Sequence, residues 1–256
     1  MKKPFQIAAL AALSLSLSCA QQGHAVTLVR DGKPVAKIYL AAVAPVAGAP
    51  VVAPVAPVAG AAPVAAPPLV APVELQTAAT ELNYHLKKMS GAELEVVVAP
   101  DAKSVKGPAV VMGELARAMG ATTKKPTFGR EGVRILSKGD TLLIGGESDR
   151  SSLLGTYSVL EKLGCDWVMP GEIGEIIPQK KTVEIGALDE AQAPSFAGRS
   201  LWYRGGFSIY TQADIDRFGQ WSARQKGGGG VNKIIGASAG HYWDCLLYTS
   251  PSPRDS

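Results

Sequence analysis

The chain has 256 residues, 46% of them hydrophobic, enough for one domain with a buried core and part of a second. Its 26 basic residues stand against 22 acidic ones, and Lys2 and Lys3 account for two of the basic residues within the first three positions. That near-neutral balance argues against nucleic acid as a partner.

Residues 1–25 read as a signal peptide: Lys2 and Lys3 precede an apolar run from Phe5 to Leu17, and small residues lead to Gly23-His24-Ala25. Cleavage after Ala25 leaves Val26 as the first mature residue, in a secreted or periplasmic protein. The competing reading is a lipoprotein box at Leu15-Ser-Leu-Ser-Cys19, with Cys19 lipidated in the outer membrane, although Ser16 stands where a larger aliphatic residue is usual. The apolar run is shorter than the roughly 20 residues that span a bilayer, so no transmembrane segment is expected once the signal is removed.

Val26 to Leu40 reads as two short strands around the turn dipeptide Asp31-Gly32. Residues 41–72 then break the composition, because they are built almost entirely of Ala, Val, Pro and Gly, with eight prolines and no charge. Proline removes backbone donors and clashes with a preceding helical turn, so this Ala/Pro/Val-rich insertion is expected to be extended or without regular structure.

From Val73 to Ser90 the residues Leu75, Ala78, Ala79, Leu82, Leu86 and Met89 recur at helical spacing, and Gly91 supplies the C-terminal stop. His85, next to Lys87 and Lys88, is read as solvated on the flank of this helix. Glu93–Ala99 and Ala109–Met112 are β-rich, with a short helical pattern from Glu114 to Met119. Glu131–Leu136 and Thr141–Ile144 flank Lys138-Gly139-Asp140 as a second hairpin, closed by Gly145-Gly146. Ser148 or Asp149 caps a second long helix with the stripe Leu153, Leu154, Tyr157, Leu160 and Leu163, ended by Gly164. Three short segments, Cys165–Met169, Gly174–Ile177 and Thr182–Ile185, complete the region.

The expected fold is therefore α/β: residues 26–187 form an accessory domain in which a small mixed sheet carries two main helices on one face. Beyond it, Gln212–Ala223 is helix-like and Val231–Ile235 strand-like, so 188–244 reads as the start of a (β/α)8 barrel. Cys245-Leu-Leu-Tyr-Thr-Ser-Pro-Ser-Pro-Arg-Asp-Ser256 looks like a sequencing adapter translated as protein, which places the end of the native sequence near Asp244. Of the three cysteines only Cys165 then belongs to the mature chain, which excludes an intrachain disulfide. Cys165 itself reads as a small buried residue rather than a nucleophile.

Three segments carry a family resemblance. Ala78 to Ala92, an amphipathic helix running into Met89-Ser-Gly-Ala92, Ile144 to Trp167 with its Leu163-Gly-Cys-Asp-Trp167 ending, and Met169 to Ile185 resemble, in pattern and order, the N-terminal domain of α-glucuronidases of glycoside hydrolase family 67. Related secreted bacterial proteins share that domain. The resemblance implies an α/β module in front of a barrel that holds the catalytic carboxylates, and a polysaccharide or oligosaccharide partner, uronic-acid-containing ones among the candidates. The insertion at 41–72 departs from the family pattern.

Glycoside hydrolysis usually needs two carboxyl groups, about 5 Å apart for retention or roughly 6.5–9.5 Å for inversion. Glu172 with Glu175 and Asp214 with Asp216 are close in sequence but read as turn or helix-surface charges. No catalytic residue is assigned, and the fragment is expected to be inactive. Substrate-binding candidates lie where barrel strands would end: Trp202 and Trp243 could stack on sugar rings, Arg204 could grip a carboxylate with its planar fork, and His241 could bond a hydroxyl. The alternative role for each is barrel packing. Gly236-Ala-Ser-Ala-Gly240 matches the nucleophile-elbow pattern of serine esterases with Ser238 as nucleophile, but the downstream helix, acid and histidine that this fold requires are absent, and no strand-helix series of that fold precedes it. A non-catalytic carbohydrate-binding or surface protein is a further alternative. Gly227–Gly230 lacks the Gly-Lys-Ser/Thr ending of a phosphate loop, and no zinc pattern exists, so neither cofactor nor metal is expected.

Overall fold

The structure is a computed structural model that describes residues 25–43, 69–123, 131–196, 199 and 211–227. It is a mixed α/β fold. Strands β1 (Val26–Arg30), β2 (Lys33–Pro34) and β3 (Lys37–Ala41) open it, followed by helix α1 (Val73–Ser90), β4 (Val96–Ala99), β5 (Ala109–Met112) and the short α2 (Glu114–Ala118). Then come β6 (Val133–Lys138), β7 (Thr141–Gly146), α3 (Asp149–Lys162), β8 (Asp166–Trp167), β9 (Glu175–Ile176), β10 (Val183–Ile185), β11 (Asp189–Gln192) and α4 (Gln212–Arg224).

The Asp31-Gly32 hairpin forms, with both residues at positive φ (51° and 74°), but its second arm is split. Only Lys33–Pro34 returns along β1, which pairs on its other side with β10, Val26 opposite Ile185. Lys37–Ala41 instead enters the main sheet, whose order is β11-β6-β7-β5-β3-β4. Strands β4, β3, β5 and β7 are parallel, and β6 and β11 are antiparallel to their neighbours. β4 and β5 do not pair with each other; β3 lies between them.

Paired residues share a face of the sheet. Ile38, Val110 and Leu142 lie in one row and Leu40, Met112 and Ile144 in the next, all buried. Helix α3 packs on this face so closely that a Cβ at Gly155 would fall 2.6 Å from a Val133 methyl and 2.8 Å from one of Ile144. The opposite face, carrying Val111 and Leu143, is covered by the turn after α2, where the Ala121 carbonyl occupies the space a Cβ at Gly145 would need.

The two long helices begin and end as their sequences demand. Ser148 caps α3 by accepting from the Ser151 amide, with Ser151 returning the bond to the Ser148 amide. Gly91, at φ 80°, ends α1 and donates its N–H to the Lys87 carbonyl at 2.9 Å. The predicted stripe of α1 is buried, but so are Glu81, Asn83 and His85 on its other side. Asn83 explains why β4 starts three residues later than the β-rich run: its amide brackets Leu94, donating to the Leu94 carbonyl at 2.8 Å and accepting from the Leu94 N–H at 2.9 Å. These bonds satisfy backbone groups that a neighbouring strand would otherwise hold.

Past Ala187, β11 pairs with β6 at the sheet edge, and Arg134 grips Asp189 with two bonds of 2.8 and 3.0 Å. All of the signal-peptide reading (residues 1–25) but Ala25, Cys19 included, most of the Ala/Pro/Val insertion (44–68), the strand-like run at 231–235 with the barrel continuation, and the tail at 245–256 lie outside the described residues. No helix among the described residues is long and apolar enough to cross a membrane.

Candidate functional site

The polar centre of the domain is built where α1, the β8–β9 ladder and α4 meet. Antiparallel pairing of β8 with β9 sets Glu175 opposite Trp167. Helix α1 presents Glu81, Tyr84, His85 and Lys88 to the same point, successive positions on one helical face. Helix α4, started by a Thr211–Asp214 capping box, delivers Gln220, Trp221, Arg224 and the following Gln225.

Arg224 joins the two carboxylates. Its Nε donates to Glu81 Oε2 at 2.9 Å and one terminal nitrogen donates to Glu175 Oε1 at 2.6 Å. The side chains of Arg224, Glu81 and Glu175 are only 5%, 8% and 5% exposed. The remaining oxygens are also bound: Glu81 Oε1 accepts from Gln220 at 2.9 Å, and Glu175 Oε2 accepts from Tyr84 Oη and Lys88 Nζ, both at 2.8 Å. Burial pushes the Glu175 carboxyl up, but the bonds from Lys88, Arg224 and Tyr84 outweigh it and hold the group below its ordinary value. Two buried anions are thus neutralised by two cations, and each of the four carboxylate oxygens already accepts at least one hydrogen bond.

Two sequence expectations change here. Glu175 is not a turn-surface charge but a buried ion-pair partner, because its strand register turns it toward Arg224. His85 is not solvated: it is fully buried, with Nδ1 2.7 Å from the Glu81 carbonyl and Nε2 accepting the Trp167 indole N–H at 3.0 Å. Of the lysines beside it in sequence, Lys87 points away to Glu93, and Lys88 reaches past it to the Glu175 carboxylate, so the charge of neither marks His85 as exposed. Glu172 is exposed, as read. Asp214 belongs to the helix cap and pairs with Arg217 at 2.5 Å, and backbone and side-chain bonds from Thr211 hold its carboxyl low. Asp216 accepts from Gln212 at 2.8 Å.

Beside the ion cluster lies an open depression of about 780 Å³, walled by Tyr84, Pro170, Ile173, Arg217 and Phe218, with Arg224 and Glu175 at its base. A smaller cavity of about 200 Å³ lies by a third buried carboxylate, Glu131, which accepts from Arg199 at 2.5 Å and from Arg150 at 3.2 Å. A third hollow, about 650 Å³, opens at the C-terminal ends of β3, β5 and β7, the place where open α/β sheets commonly bind ligands. Its chemistry is wrong for a phosphate: Glu74, Glu114 and Asp149 stand in the first turns of α1, α2 and α3. Burial, then the charges of Glu74 and Glu114, push the Asp149 carboxyl up. The Gly145-Gly146 pair serves packing, since a Cβ at Gly146 would meet the Ser152 nitrogen at 2.4 Å. Among the described residues no His, Cys, Asp or Glu group is arranged to hold a metal ion.

Cys165 is buried, and burial pushes its thiol up to about 12, which fits an inert packing residue. Trp202, Arg204, Ser238, His241 and Trp243 lie outside the described residues, as do Gly228–Gly230. Sequence reasoning missed Glu81, Lys88, Arg224 and the Trp167–His85 bond. The one local hint was polar residues at 81 and 85 on the same face of α1, one turn apart.

No family model matches the chain, and no curated protein matches it. Among solved structures, one described as a novel family GH115 4-O-methyl-α-glucuronidase with specificity for decorated arabinogalactans matches with 14% identity and a TM-score of 0.47. The match covers 79% of this chain and 25% of that one, so the chain spans about a quarter of the length of that protein. No residue role passes from it to this chain.

Proposed function

We propose that the described α/β domain is a non-catalytic accessory module of an exported glycoside hydrolase of α-glucuronidase type, whose catalytic carboxylates come from outside the described residues. One observation carries the non-catalytic part: Glu81, Glu131 and Glu175, the carboxylates with buried side chains among the described residues, are each held by arginine. A glycosidase acid must keep a proton and release it to the leaving group, and a guanidinium at hydrogen-bond distance stabilises the ionised form instead. The carbohydrate part rests on the resemblance of residues 78–92, 144–167 and 169–185 to the family 67 domain. Tyr84, His85, Trp167 and Glu175, which build the clamp around α4, all lie inside those segments.

In this reading the domain holds α4, and through it the start of a barrel whose strand ends carry Trp202, Arg204, His241 and Trp243 toward a uronic-acid-bearing oligosaccharide. The test is to express the chain joined to its genomic continuation. The extended protein should release uronic acid from decorated oligosaccharides, and Arg204→Ala should raise KM more than it lowers kcat. A continuation that lacks any such activity, or that encodes no barrel, sinks the reading.

A further inference from the structure

We propose that the His85–Trp167 pair is an acid-sensitive latch: protonation of His85 expels the indole from its hydrogen bond and frees α4 from α1 and α3.

The donors and acceptors around the ring fix the His85 tautomer. The Glu81 carbonyl can only accept, so His85 Nδ1, 2.7 Å away, carries the ring proton. The Trp167 indole N–H can only donate, so His85 Nε2, 3.0 Å away, carries a lone pair. The neutral Nδ1–H tautomer is therefore fully satisfied and its orientation is fixed. A second proton on Nε2 would face the indole N–H head-on, and neither group could turn to another acceptor without moving, because His85 is 0% and Trp167 2% exposed.

Trp167 is also what α4 hangs from. Its carbonyl accepts from the Trp221 indole at 2.8 Å and from the Gln225 amide at 2.6 Å, and its ring lies beneath the Arg224 guanidinium at 5.8 Å from the centroid. On the α3 side the ring meets Tyr157 edge-on at 5.9 Å. Moving the indole therefore disturbs these three ties between Trp167 and α4 with its C-terminal cap.

The charged groups around His85 do not relieve the strain. From α1 the Glu81 carboxylate is engaged by Arg224, from β9 Glu175 is engaged by Arg224 and Lys88, and from α4 Arg224 itself repels a second cation. Tyr84 and Tyr157, the titratable neighbours from α1 and α3, are both pushed up by burial and stay neutral across the range concerned. Burial, the largest influence, leaves His85 below its ordinary value in the closed state. The closed form thus binds fewer protons than the open one. Closure is complete above the ordinary histidine value of about 6.5 and weakens as pH falls below it.

Hydrogen exchange on the full chain at pH 7.5 and 5.5, corrected for intrinsic rates, reads the latch directly. The opening of Gln212–Arg224 should rise by up to about tenfold at the lower pH, the factor by which a histidine of ordinary pKa favours the open state. Strands β5 and β7 should stay protected, and His85→Gln should remove the pH dependence of α4. Glu175 does not confuse the result, because its carboxyl titrates below this window. Should His85→Gln not fold, the ring nitrogens of His85 in the unaltered chain decide: the Nδ1–H tautomer should persist until α4 opens, and both should change together. An α4 equally protected at both pH values, a core that opens with it, or a His85 that takes up its proton while α4 stays shut would each overturn the proposal.

Discussion

Arg224 and Glu81, 143 residues apart in sequence, meet at 2.9 Å in the interior of the domain. The same guanidinium reaches Glu175, so one side chain from α4 bridges an anion from α1 and another from β9. Arg224→Ala should leave two carboxylates buried near each other with Lys88 as their remaining cation, at a cost of about 3–5 kcal/mol. Urea unfolding at neutral pH measures it. Arg224→Lys should recover little, since an ammonium cannot reproduce the planar fork that spans both partners.

Acid should weaken this cluster in a second stage, after the histidine range. Glu175 is held below its ordinary value of 4.5 in the folded chain, so its contribution is full above that value and is lost as pH falls through the lowered one. Comparing urea midpoints at pH 7 and pH 4, Glu175→Gln should start less stable and lose less than the unaltered chain. An equal loss in both would mean that other carboxylates govern the acid response.

Packing limits can be read from two glycines. A Cβ at Gly145 would stand 1.9 Å from the Ala121 carbonyl oxygen, which is backbone and cannot swing aside. Gly145→Ala should therefore destabilise the domain by about 1–3 kcal/mol or more. Gly219 lies inside α4, and a Cβ added there would have nothing within 4 Å. There alanine should stabilise the helix by about 1 kcal/mol. Thermal unfolding of the two variants should shift in opposite directions.

Cys165 should resist thiol reagents. With its thiol pushed up to about 12 and its side chain buried, modification at neutral pH should proceed only as fast as the domain opens. In a chain with Cys19 and Cys245 replaced by serine, labelling should be slow in buffer and fast in denaturant. Rapid labelling in buffer would contradict the core placement.

The elements legible in the sequence were those set by local pattern. The stripe from Leu75 to Met89, the Ser148 cap with its apolar run, and the Lys138-Gly139-Asp140 turn all produced the expected helices and hairpin. What was not legible depends on partners far along the chain. Strand β11, Asp-Glu-Ala-Gln, has no apolar alternation and is held by β6 and by Arg134. Asn83, His85 and Glu81 look like the wet side of an amphipathic helix, yet α1 is covered on that side too, by the Leu94 segment, Trp167 and α4. Charge alone could not tell Glu175, buried against Arg224, from Glu172, which is exposed three residues earlier.

The central claim is that the carboxylates of this domain maintain structure and do not transfer protons to a sugar. The most direct measurement is turnover of aryl glycosides and uronic-acid-decorated oligosaccharides by the purified 256-residue chain, beside its Glu175→Gln and Asp149→Asn variants. Asp149 is included because burial and the charges of Glu74 and Glu114 push its carboxyl up from its ordinary value. The account predicts no turnover by any of the three. Hydrolysis by the unaltered chain that either substitution abolishes, with the fold intact, would contradict it.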